Sequence, residues 1–150
     1  MIEVNNLELL KFSQTAIHGK VPEHIGNVFP LEKYACLGEF RPDGQALWVV
    51  SFYDFKRDHD CVLDIALNIG GLFSRDLFER IRRLVCHYAF VQNSLLRMTT
   101  FVRVSNKKSY RITKKWGFRE EGLIKLGFGP PKPEDMHVFG VTRDECNKWI

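Results

Sequence analysis

"NKKSYRITKKWGFREEG", residues 106–122, reads as a helix cap, one short basic helix, a turn and the start of a strand. Asn106 is a strong N-cap residue, because its side-chain oxygen accepts a bond from an otherwise unpartnered N–H of the first turn. Gly117 stands where such a helix stops, since glycine enters the left-handed conformation without steric cost. Lys107, Lys108, Lys114 and Lys115 make the helix basic. They read either as a solvated face or as a contact for an acidic partner.

On the N-terminal side of this stretch, "RMTTFVRV", 97–104, is predicted as a strand. Ser74 caps a helix over about 75–91, in which Leu77, Phe78, Ile81, Leu84, Val85, Tyr88 and Ala89 recur at helical spacing and define one buried face. Before it, "KYACLGEF" (33–40), "ALWVVSFYDF" (46–55) and "CVLDIALNI" (61–69) read as an antiparallel meander that ends at Gly70-Gly71. Pro42-Asp43-Gly44 supplies the chemistry of the first turn. The middle run is too continuously apolar to face water on one side, which makes it an interior strand. Residues 6–18 carry Leu7, Leu10 and Ile17 at helical spacing, and "VPEHIGNVF" (21–29) reads as a short turn or helix starting at Pro22.

On the C-terminal side, "FREEGLIKLGF" (118–128) and "MHVFGVT" (136–142) are predicted strands separated by the loop "GPPKPED", and Thr142 with Glu145 forms a capping box. The order is helix, helix, three strands, helix, strand, helix, two strands. The strand after the long helix is expected to pair parallel with the third strand. The fold class is α/β, an α+β mixed sheet that is mostly antiparallel with one parallel pair, covered by helices on both faces. One domain over residues 1–150 is expected.

The net charge of +4 favours an anionic ligand mildly, but the basic residues are dispersed and no stacking motif interleaves them, which disfavours nucleic acid. No run approaches the roughly 20 apolar residues of a membrane span, and the first ten residues lack the layout of a signal peptide, so a cytoplasmic protein is expected. Cys36, Cys61, Cys86 and Cys146 are widely spaced and read as free buried thiols. Histidines 18, 24, 59, 87 and 137 show no metal-ligand spacing, so no metal is expected.

The element order together with Asn106, Ser109, Arg111, Lys115, Gly117, Phe118, Glu121 and Gly122 resembles the GNAT superfamily of acyl-CoA N-acyltransferases. Within it, the pattern is similar to the branch of ribosomal-protein alanine acetyltransferases. The resemblance covers about residues 60–150 and is weak over the first 40. It implies the GNAT fold and transfer of an acetyl group from acetyl-CoA to a primary amine by direct attack. The acceptor would be a protein N-terminus, a lysine or a small amine. One departure stands out: where most of the family carries a glycine-rich pyrophosphate loop, this chain reads "GGLFSRDLF", 70–78. Ser74 and Asp76 stand near the expected glycines. A carboxylate there suits the helix dipole and repels a diphosphate, whereas Ser74 and Arg75 offer a hydroxyl and a cation. This variant resembles a branch carried by bacteriophages and prophages. A catalytically degenerate binding or virion-associated module is the alternative.

The resemblance implies site residues by position. The backbone from Leu67 through Ile69, Gly70 and Gly71 would pair with the pantetheine arm and supply an oxyanion donor. Ser74 and Arg75 would hold the pyrophosphate, and Asn106 would bond the pantetheine amides. Ser109 would face the sulfur, with Tyr110 as the competing proton donor. Thr113 occupies the position where many relatives carry an acidic tyrosine. Asp64 is the candidate base. Each residue also has a plain reading: Asn106 as a cap, Tyr110 as packing, Asp64 as a strand carboxylate. A homodimer stays open.

Overall fold

The computed structural model describes residues 1–18, 33–68 and 74–150. The expected turn or helix at 21–29 lies outside them. Seven strands follow the order β1-β2-β3-β4-β5-β7-β6 in one mixed sheet, mostly antiparallel, with β4 and β5 as its parallel pair. In chain order these are β1 (Ile2–Val4), β2 (Tyr34–Phe40), β3 (Ala46–Lys56), β4 (Asp60–Leu67), β5 (Arg97–Arg103), β6 (Arg119–Phe128) and β7 (Glu134–Thr142). The helices are α1 (Leu7–His18), α2 (Arg75–Cys86), α3 (Lys107–Trp116) and α4 (Arg143–Cys146). Among the described residues no helix is long and apolar enough to cross a membrane. The chain separates into two compact units, one of residues 1–56 and 61–81, the other of 57–60 and 82–150.

In the first unit, the meander forms as the alternation and turn chemistry dictate. Gly44 sits at φ +83°, Gly44 N–H donates to Arg41 O at 2.9 Å, and Asp43 Oδ1 accepts from Gln45 N at 3.0 Å. Trp48, Val49, Val50 and Phe52 of β3 are fully buried, as expected of an interior strand. Leu9 and Leu10 of α1 pack with Cys36, Ala46 and Val49. Gly38 permits that approach: a Cβ there would lie 2.6 Å from Trp48 O and 2.9 Å from Leu9 Cδ1. Sequence patterning missed β1. Three residues are too short to show a period, and Asn5, at φ +52°, turns the chain so that Asn6 Oδ1 accepts from Glu8 N at 3.0 Å and starts α1. Glu39 is buried yet fully engaged. Its Oε2 accepts from Trp48 Nε1 at 2.6 Å and from the Arg80 guanidinium at 2.5 Å, which is how a carboxylate survives in a core.

In the second unit, β7 pairs antiparallel with β5 from Arg97↔Thr142 to Arg103↔Met136, and with β6 on its other side. Asn106 and Gly117 bound α3 as their chemistry requires. Asn106 Oδ1 accepts from Ser109 N at 3.0 Å, and Gly117 at φ +103° donates its N–H to Lys114 O. A side chain at Gly117 would also collide with the Trp149 ring. Beyond α2 the chain continues as a π-helical turn, His87–Gln92, where the sequence predicts plain helix to about 91. Thr142 Oγ1 accepts from Glu145 N at 3.4 Å, while Glu145 pairs with Arg119 at 3.6 Å. All four cysteines are buried, and none is in a disulfide.

Candidate active-site elements

At the start of α2, Ser74 Oγ accepts from Leu77 N at 3.1 Å and so spends one lone pair as the helix cap. Its O–H proton is left to donate. No described residue takes up the N–H groups of Arg75 and Asp76, which belong to the helix positions that lack intrahelical acceptors. The Arg75 guanidinium is held along the helix by Glu79 at 2.9 Å, in an exposed i,i+4 pair of the kind that contributes little and exchanges readily. Asp76 lies in the same first turn. Two N–H groups, a hydroxyl and a nearby cation form a donor set suited to a diphosphate; Asp76 opposes it. Leu67, half-buried, ends β4. Ile69, Gly70 and Gly71 lie outside the described residues.

Asp64 projects from the middle of β4 into the first unit's interior and is 7% exposed. The Tyr53 hydroxyl bonds it, while Oδ2 has no partner. Burial pushes its carboxyl up to about 7, against the smaller downward pull of the Tyr53 hydrogen bond. Tyr53 is itself raised, by burial first and by the Asp64 charge second. Tyr34, opposite Tyr53 in the β2–β3 register, stacks on it with ring centroids 5.3 Å apart.

In the second unit, the Asn106 carbonyl oxygen is committed to its cap, which leaves the Nδ2 amide as a donor. Ser109 is half-exposed one turn into α3. Tyr110, its neighbour, turns toward β6 and β7. Its hydroxyl donates to Glu120 Oε2 at 2.7 Å, and its ring lies 4.8 Å from the His137 ring and 5.4 Å from that of Phe139. His137 Nδ1 meets Glu120 Oε1 at 2.8 Å. The Tyr110 bond, with His137 and Lys114 behind it, holds the Glu120 carboxyl below its ordinary range; the same bond raises Tyr110. A phenol whose proton is committed to a carboxylate is a poor acid toward another group. Thr113 is buried.

Ser74 and Asn106 cap the helices that the sequence predicts, and Asp64 lies on the predicted third strand of the meander, although its face was not legible. Sequence reasoning missed Tyr34, Tyr53, Glu120 and His137 as partners. Only strand register brings those residues together, and no spacing along the chain announces it.

No protein-family model and no curated protein matches this sequence. Solved structures do match its fold. Variant forms of the spermidine/spermine N-acetyltransferase SpeG of Vibrio cholerae superpose with a TM-score of 0.72 at 14% identity, over 99% of this chain and 97% of that one. The dodecameric spermidine N-acetyltransferase of the same organism gives 0.72 at 14% identity, over 97% and 94%. A GNAT-family acetyltransferase of Bacillus anthracis gives 0.68 at 15% identity, over 95% and 94%. At such identities the likeness establishes the fold, and that fold is the GNAT fold.

Proposed function

We propose that this chain is an acyl-CoA-dependent N-acyltransferase that moves an acetyl group from acetyl-CoA to a primary amine. The observation that carries the reading is the donor set at the α2 N-terminus: a capped helix start whose first two N–H groups meet no acceptor among the described residues, a serine hydroxyl, and an arginine in an exposed ion pair. Bound acetyl-CoA supplies an activated thioester carbonyl. The chain's own residues do the rest. Ser74, Arg75 and the helix start hold the diphosphate, and the backbone from Leu67 through Ile69, Gly70 and Gly71 is the proposed partner of the pantetheine arm and source of the oxyanion donor. Asn106 Nδ2 donates to the pantetheine arm. An alkylammonium near pKa 10.4 is unreactive while protonated, and Asp64 takes that proton. The freed nitrogen lone pair forms the C–N bond as the C–S bond breaks. Ser109, or a water it holds, returns a proton to sulfur, since Tyr110 is occupied by Glu120.

The Asn106–Gly122 pattern supports the ribosomal-protein alanine branch and hence a protein N-terminus as acceptor; the names of the structural neighbours support a polyamine. The Ser74-Arg75 variant supports a bacteriophage or prophage origin, and the reading places the protein in the cytoplasm. Oligomers are known from the name of one neighbour, and a homodimer is the simplest form for this chain.

Calorimetric titration with acetyl-CoA tests the reading. One site per chain is expected, weakened roughly tenfold or more in a Ser74→Ala/Arg75→Glu double variant, which loses charge-assisted bonds. Neither heat nor a thermal shift with acetyl-CoA overturns it. Asp76 favours a second reading, a binding module without catalysis; acetyl-CoA binding with no acetylation of polyamine or peptide acceptors would select it.

A further inference from the structure

We propose that the exposed face of α3 formed by Lys107, Lys108, Arg111, Lys114 and Lys115 is a docking surface for an acidic segment of another polypeptide. The inference goes beyond the acyl-transfer reading, which assigns these five side chains no part.

All five side chains are exposed, and α3 contains no acidic residue. One short helix therefore carries more positive charge than the net +4 of the whole chain. Elsewhere in the second unit cations are answered by carboxylates: Arg97 by Glu121 and Asp60, Arg103 by Glu134, Arg119 by Glu145, and Lys125 by Asp135. Among the described residues Lys107, Lys108 and Arg111 form no such pair. The helix itself gains nothing from this pattern. Lys107 and Lys108 occupy its first two positions, at the positive end of its dipole, where acids are favourable and cations are not. Arg111 stands four residues from Lys107 and from Lys115, and three from Lys108 and from Lys114, spacings at which like charges repel. Only Lys114 and Lys115, in the last turn, suit the dipole. Anchors on the other side of the helix hold it in place: Thr113 and Trp116 are buried, and the Tyr110 hydroxyl donates to Glu120. A fixed face of one charge, kept against the stability of its own helix, calls for a partner of the opposite charge. Lys107, Arg111 and Lys115 repeat every four residues, about 6 Å along the axis, which is the spacing of carboxylates at every fourth position of an acidic helix. Nucleic acid fits less well. The Tyr110 ring packs against those of His137 and Phe139, and Trp116 is buried, so neither offers a base a surface for stacking. The face runs only about 12 Å, which meets few phosphates.

The test uses the intact chain and a fluorescein-labelled helical peptide with glutamate at every fourth position, followed by anisotropy. The same peptide with glutamine at those positions is the uncharged control. Saturable binding of the glutamate peptide alone is expected, and it is expected to weaken as salt is raised. Lys107→Glu/Lys108→Glu/Arg111→Glu is expected to weaken it by about tenfold or more, since like charges then face each other. Lys56→Glu/Arg83→Glu/Lys132→Glu makes the same change in net charge away from α3 and is expected to stay within a few-fold of wild type. The α3 variant is also expected to melt at or above the wild-type temperature, because acids replace cations in the first turn. An excess of acetyl-CoA is expected to leave the peptide bound. Equal losses in the two variants, binding of the glutamine peptide, insensitivity to salt, or no saturable binding overturns the proposal. So does a lower melting temperature in the α3 variant, which would make the cations part of the fold. Displacement by acetyl-CoA, which would give the face to the cofactor's phosphates, or tighter binding of an oligouridylate of equal charge overturns it as well.

Discussion

Two carboxyl–phenol hydrogen bonds, one in each unit, behave oppositely. Tyr53 bonds Asp64, and Tyr110 bonds Glu120. In both pairs the phenol proton favours the ionised carboxyl. Around Glu120 that preference prevails: the side chain is 34% exposed, the opposing effect of burial is smaller than that of the Tyr110 bond, and His137 and Lys114 reinforce it, so its carboxyl lies below its ordinary range. Around Asp64 burial wins, and the carboxyl rises to about 7. The same bond therefore holds a helix to a sheet in one place and tempers the rise of a buried carboxyl in the other. What differs is the depth of burial and the cationic neighbours that Glu120 has.

The sharpest way to break this comparison is catalytic. Asp64→Asn is expected to lower kcat/KM for amine acetylation by about 10²–10⁴-fold, the usual contribution of a general base. Glu120→Gln is expected to leave the rate within a few-fold of wild type. Steady-state rates on one acceptor decide it; equal losses in both variants would dissolve the distinction.

The next effect is on stability, and its sign differs between the two groups. Asp64 has a folded pKa of about 7 against an ordinary 3.8. Its protonated form suits the fold, so that stability is present in full below pH 4 and is lost as pH rises through 7. The shift corresponds to on the order of 4 kcal/mol. Urea unfolding across pH 4–8 is expected to show this slope in wild type and to lose it in Asp64→Asn. Glu120, depressed instead, contributes stability above its ordinary pKa and loses it as pH falls below that range. That effect is expected to be the smaller, because exposed pairs are screened.

The smallest expected changes come from the phenols. Tyr53→Phe is expected to raise the Asp64 midpoint further, and Tyr110→Phe to raise that of Glu120 back toward ordinary, both read by carboxyl-carbon NMR. A downward movement in either would mean the hydrogen bond has been assigned to the wrong protonation state.

How far the sequence carried these conclusions depends on the range of the chemistry involved. Asn106 and Gly117 announce α3 because caps act within one turn, and Ser74 announces α2 for the same reason. The meander is visible in alternation and in Pro42-Asp43-Gly44. By contrast, β1 is three residues long and is defined only by its pairing with β2. The π-helical turn at His87–Gln92 leaves no mark on a pattern already helical. The partners of Asp64 and Tyr110 were equally invisible. Tyr53 lies eleven residues before Asp64, and His137 seventeen after Glu120; register alone makes them neighbours. Asp64 was legible as a strand carboxylate, but whether it faced solvent or core decided its chemistry, and parity along one strand does not reveal that.

The most direct measurement is a carboxyl-carbon NMR titration of Asp64 in the intact wild-type chain. The account predicts a single step centred at about 7 that disappears in Asp64→Asn. A midpoint at or below the ordinary aspartate value of 3.8 would mean that water reaches the carboxyl, and that Asp64 is not the group that waits, near neutrality, to take a proton from an amine.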